Sequence, residues 1–80
     1  MVKQHVTFTF SEDTLKEPII YNLSQQFNVI TNIRNADLSV AKGWIKLELQ
    51  GKKEDIEQGL AWATSKGVRV DPATESNMED

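Results

Sequence analysis

The sequence predicts an α+β fold: a split βαβ sandwich in which a four-stranded antiparallel sheet, strand order 4-1-3-2, carries two helices on one face. Three observations lead there. Apolar and polar residues alternate through two separate stretches, two amphipathic segments interrupt that alternation, and the order along the chain is strand, helix, strand, strand, helix, strand with short connections.

The first strand is read from Val6, Phe8 and Phe10, which alternate with His5, Thr7 and Thr9 at the period of two that buries one face. Ser11-Glu12-Asp13-Thr14 breaks the alternation. A first helix is expected from Glu17 to Phe27, with Ile19, Ile20, Leu23 and Phe27 as its apolar stripe and Pro18 in the first turn, where a missing N–H costs nothing. Asn28 then ends the helix, because asparagine tolerates the left-handed conformation of a C-terminal cap. The second strand, Val29 to Ala36, is rich in β-branched residues, but its parity is ambiguous. Val29, Thr31 and Ile33 compete with Ile30 and Ala36 for the inner face, and Ile33 is placed inward. In the third strand Ile45, Leu47 and Leu49 share one side and Trp44, Lys46 and Glu48 the other, with Gly51 at its end. A second helix follows from Lys52 to Lys66, with Ile56, Leu60 and Ala63 on one face and Glu54 and Asp55 near the favourable end of the dipole. Gly67 stops it, and Val68 and Val70 form the last strand.

Eighty residues allow one small core, since a chain of this size buries only about 60% of its unfolded surface, and a dimer fits such a chain. The absence of cysteine excludes disulfides, thiolate metal sites and a cysteine nucleophile. Neither a signal-peptide start nor an apolar run near the roughly 18 residues of a membrane span is present, so a cytoplasmic location without membrane contact is expected. The net charge of −3 is uneven. Residues 1 to 70 carry +1, and Asp71, Glu75, Glu79 and Asp80 give the end of the chain −4. Residues 1–71 are therefore read as one domain and 72–80 as a disordered acidic tail.

If both helices cover one face, the other exposes His5, Thr7, Thr9, Trp44, Lys46, Glu48 and Arg69, joined by Asn32 and Arg34. Trp44 is the candidate contact on that face, because an indole there buries a large apolar area once something covers it. Lys42-Gly43-Trp44 matches the opening of an RNA-recognition signature, but Lys46 and Leu49 stand where stacking aromatics belong, and no basic surplus drives phosphate binding. Nucleic acid is excluded on those grounds. His5 is read as an exposed strand residue with no positioned carboxylate beside it, and Glu12-Asp13 and Glu54-Asp55-Glu57 suit helix starts better than a cation loop. No catalytic residue, metal ligand or cofactor motif emerges, and no enzyme is expected.

A series of short matches, in order and at compatible spacing, resembles the NIL domain family. It comprises Glu17-Pro18-Ile19-Ile20, Asn32-Ile33, Ala36-Asp37, Gly43-Trp44 running into Ile45-Lys46-Leu47-Glu48-Leu49, then Gly51 and Lys66-Gly67-Val68, and it spans Val6 to Val70. Arg34 departs from the pattern, standing where the family's Asn-Ile-Leu tripeptide has leucine. The resemblance implies a ferredoxin-like fold and a regulatory module. Such domains sit at the C-terminus of ATPase subunits of methionine-importing ABC transporters, where pairs bind methionine and restrain transport, beside iron–sulfur ferredoxin domains, or alone.

For this chain the resemblance implies a non-catalytic homodimer that senses methionine or a related small amino acid at its interface. Asn32 and Ile33 match the signature on the second strand, an edge open to another strand; pairing there brings Asn32, Ile33, Arg34 and Asn35 near a two-fold axis. The bare face around Trp44 is the other candidate interface. Arginine at 34 offers a planar fork suited to a carboxylate in place of an apolar contact for a thioether. The alternative function is a protein interaction subunit that partners a ferredoxin or a sulfur-assimilation or transport protein.

Overall fold

The computed structural model describes residues 1–15, 17–39 and 42–72. Its elements are β1 (Val2–Ser11), α1 (Glu12–Leu15), α2 (Ile19–Phe27), β2 (Ile30–Leu38), β3 (Lys42–Gly51), α3 (Lys53–Ser65) and β4 (Arg69–Pro72). The four strands form one antiparallel sheet in the order β2-β3-β1-β4, the expected order read from the other edge.

Alternation decides which side of the sheet is buried. Val6 lies opposite Leu47 and Phe8 opposite Ile45, so directly paired residues share a face, and those apolar faces meet the helices. Val6, Phe8, Phe10, Ile45, Leu47 and Leu49 are all buried there, together with Ile19 and Leu23 of α2 and Ile56 and Ala63 of α3. Burying each such large side chain contributes about 1.5–3 kcal/mol. Phe8 and Phe10 meet edge to face with centroids 6.2 Å apart. At the margin of this core, Phe27 packs on Trp62 with centroids 5.8 Å apart, and the Lys66 ammonium lies 5.8 Å from the Trp62 ring centroid.

The helix ends follow local chemistry. Asn28 adopts the left-handed conformation (φ 56, ψ 45) that closes α2. After α3, the Val68 N–H bonds the Ala63 carbonyl and the Gly67 N–H the Thr64 carbonyl, a Schellman arrangement with Gly67 at φ +97. Two boundaries differ from expectation. The break after β1 is a helical turn of its own, in which the buried Thr14 hydroxyl accepts from the Ser11 N–H at 2.8 Å and donates to the Ser11 carbonyl at 3.0 Å. The next helix therefore starts at Ile19, with Pro18 just outside it and its carbonyl accepting from the Asn22 N–H.

The second strand runs Ile30–Leu38, and the buried Val29 lies just before it. Its register shifts between Ile33 and Asn35, leaving Arg34 as an extra residue, a β-bulge. The bulge resolves the parity: Thr31, Ile33, Ala36 and Leu38 all pair with residues of the helix-covered side. Ile33 points as expected and is nonetheless 59% exposed. The helices pack on one another, α3 lies over β4 and β3, and α2 touches β2 only sparsely, so the β2 side chains stay largely exposed.

His5 is a correction. It is buried, not exposed, because it stands on the central strand directly opposite Glu48, whose carboxylate is 3.6 Å from the ring. β4 extends to Pro72, and the remainder of the expected acidic tail lies outside the described residues. Among the described residues no helix is long and apolar enough to cross a membrane.

Candidate functional site

The uncovered β2 edge and the start of α2 build the candidate site. Leu38 is 52% exposed on the same side of β2 as Ile33, and Tyr21 on α2 is 64% exposed. α2 carries no charged residue from Ile19 to Phe27, so its flank gives a neutral wall to an apolar floor. Where wall and floor meet, Phe10, Leu15, Tyr21, Leu38 and Ile45 line a mostly apolar groove of about 210 Å³, with Glu17 as its charged member. Its floor is rigid: Phe10 and Ile45 belong to the core cluster. A groove of this lining accepts an apolar side chain of amino-acid size.

Two contacts hold the β2 strand at this spot. Ser39 closes the pair, its N–H and its hydroxyl both donating to the Lys42 carbonyl at 2.8 and 2.7 Å. Gly43 pairs with Leu38, and the missing side chain lets the two backbones approach closely.

The predicted site residues divide between the two faces of the sheet. Ile33 is on the helix side, in line with the ledge formed by Ala36 and Leu38. Asn32 pairs with Glu48 and Asn35 with Lys46, which places both on the bare side. The Asn35 side-chain oxygen Oδ1 is already engaged, accepting from the Ala36 N–H at 2.9 Å beside the bulge. Arg34 reaches over the bare side to Glu48, with Nη1 3.8 Å from Oε1. Trp44, half-buried, lies between Asp37 and Thr9 on that side, next to the far end of β2 rather than to Asn32 or Arg34. The structure thus brings Asn32, Arg34 and Asn35 together, keeps Ile33 on the reverse, and sets Trp44 apart.

Tyr21, Leu38 and Pro18, which line the groove, are not among the site residues singled out from the sequence. The sequence signal for Tyr21 is the charge-free run Ile19 to Phe27, unusual for a helix exposed on one side; Leu38 has none. Among the described residues no group of three or more histidine, aspartate or glutamate side chains is arranged to hold a metal ion.

The comparisons with known proteins agree with this architecture. The NIL domain family matches residues 4–72. Among solved structures, the C-terminal domain of an ABC transporter ATP-binding protein from Enterococcus faecalis shares the fold with a TM-score of 0.79 at 18% identity, covering 90% of this chain and 84% of that one. No match is found among curated proteins.

Proposed function

This chain belongs to the NIL domain family, and from that premise we propose that it is a non-catalytic regulatory module that binds an apolar amino acid, methionine or a close relative, in the groove between α2 and β2. The observation that carries the reading is the ledge: Leu38 of the edge strand is more than half exposed where it lines a mostly apolar groove of about 210 Å³, and Ile33, further along the same side of β2, is more than half exposed as well. Two copies paired along β2 extend the sheet and set the two ledges side by side, so that each α2 becomes a wall of one shared trough. The ligand's side chain then lies on Leu38 and Ile45, and its charged ends face the seam. Arg34 does not spoil this lining, because its contact with Glu48 holds it on the opposite side of the sheet. The family pattern and the fold shared with a domain of a transporter ATP-binding protein support a transporter ATPase as the setting in which binding is read out.

Calorimetry with L-methionine and L-leucine, paired with sedimentation of the chain and of Ile33→Glu, tests the reading. Saturable heat with either amino acid and loss of dimer in Ile33→Glu support it. No heat at millimolar ligand rejects the ligand. In that case the exposed edge favours the second reading, a protein interaction subunit whose partner, a transporter or ferredoxin component, adds a strand to β2.

A further inference from the structure

On the bare side of the sheet, Asn32, Glu48 and His5 form one cross-strand row. Glu48 is only 14% exposed, and its two oxygens serve different partners: Oε2 lies 3.6 Å from His5 Nε2, and Oε1 lies 3.8 Å from Arg34 Nη1. These partners differ in freedom. His5 is buried on the central strand, whereas Arg34 is the extra residue of a bulge on an edge strand and its side chain is 48% exposed. Among the described residues, strand register also places on this face Lys3 on the same strand, Lys46 diagonally across on β3, and Asp71 on β4 opposite Thr7, the last paired with Arg69 at 3.1 Å. The apolar core beneath the helices is on the reverse face.

We propose that this cluster is a proton-operated latch on the β2 edge: when the His5 ring takes up a proton, Glu48 is drawn to it and the Arg34 guanidinium is released to solvent. Histidine is the side chain whose charge ordinarily changes between about pH 5 and 8. A protonated ring pairs with Glu48 where solvent screening is weak, while the half-exposed Arg34 pair is screened and worth little. The added positive charge also repels the guanidinium. Arg34 alone has an exit, so it is the group that moves. At high pH Glu48 holds Arg34 across the sheet; at low pH Arg34 stands free at the edge.

The latch has a consequence for assembly that rests on the β2 pairing proposed above. Each protomer then brings a released guanidinium to the seam, and like charges on adjoining strands oppose pairing. Dimerisation weakens as pH falls.

The test uses the full chain. The Arg34 Nε–Hε resonance and the ring signals of His5, the single histidine, are followed together by NMR from about pH 8 to about pH 5.5. The expected result is one Arg34 step that shares its midpoint with His5, is absent in His5→Gln, and is absent in Glu48→Gln. An Arg34 resonance that stays still while His5 titrates overturns the latch, as does a step that survives in both variants. Sedimentation at the two pH extremes is expected to show several-fold weaker association at low pH in the wild-type chain and no change in His5→Gln. A dimer of equal strength at both extremes overturns the link to assembly. A chain that is monomeric throughout while the shared NMR step persists rejects β2 pairing and supports the latch.

Discussion

Gly43 stands directly opposite Leu38, and a Cβ placed on it would lie 2.5 Å from Leu38 Cδ2 and 2.8 Å from its Cα. Part of that obstruction is backbone, so rotating the Leu38 side chain cannot relieve it. Gly43→Ala is expected to push the end of β2 outward, cost about 1–3 kcal/mol as an overpacked site does, and deform the groove that Leu38 lines. Gly51 is the control, since a Cβ there meets its nearest atom, the Asn28 carbonyl oxygen, at 3.4 Å. Thermal unfolding of the two variants should show a clearly larger loss for Gly43→Ala than for Gly51→Ala.

Ile33 and Leu47 face each other across β2 and β3 and share a side of the sheet, yet one is 59% exposed and the other fully buried. Leu47→Ala leaves a cavity beneath both helices and is expected to cost about 2–5 kcal/mol. Ile33→Ala removes a side chain that the monomer does not cover, and surface substitutions of that kind stay within about 0.5 kcal/mol. Urea unfolding at low protein concentration separates the two. A large loss for Ile33→Ala in the monomer would mean that the ledge is covered from within.

Thr14 carries the turn between β1 and α2 through two hydrogen bonds with the Ser11 backbone. Thr14→Val keeps the shape and loses both bonds, leaving a donor and an acceptor without their partner, and is expected to cost about 1–3 kcal/mol. Thr14→Ser retains the hydroxyl and is expected to lose less. Equal losses for the two variants in denaturant titration would assign the stability to the methyl group instead.

Asn28 holds a left-handed conformation at the end of α2. Asn28→Gly is expected to leave stability nearly unchanged. Asn28→Val is expected to cost on the order of 1–2 kcal/mol, because a β-branched residue crowds its own carbonyl there. Circular dichroism melts read the difference directly.

Much of the architecture was legible because two of its strands announce themselves. Val6, Phe8 and Phe10 and then Ile45, Leu47 and Leu49 keep an unbroken period of two, and these strands lie side by side in the middle of the sheet. The β2 parity was not legible. Arg34 inserts one residue, so Ile33 and Ala36 share a face although three positions apart, and a two-residue period assigns them to opposite faces. The turn at Ser11 to Thr14 was hidden because one hydroxyl, rather than any apolar pattern, organises it. His5 was placed on the correct strand and face, but its burial was hidden for a related reason: its carboxylate neighbour is forty-three residues away in sequence and adjacent only through strand register. The groove was invisible because it depends on how α2 sits over the sheet, which no local pattern encodes; Asn32, Ile33 and Arg34 pointed to β2 without revealing that the bulge parts Ile33 from the other two.

Backbone amide mapping of an L-methionine titration tests the central claim most directly. Binding in the groove predicts shifts concentrated at Leu15, Tyr21, Ile33, Ala36, Leu38 and Ile45, the residues around the ledge between α2 and β2. Shifts centred instead on Thr7, Thr9 and Trp44 of the bare face, or none at saturating methionine, would contradict it.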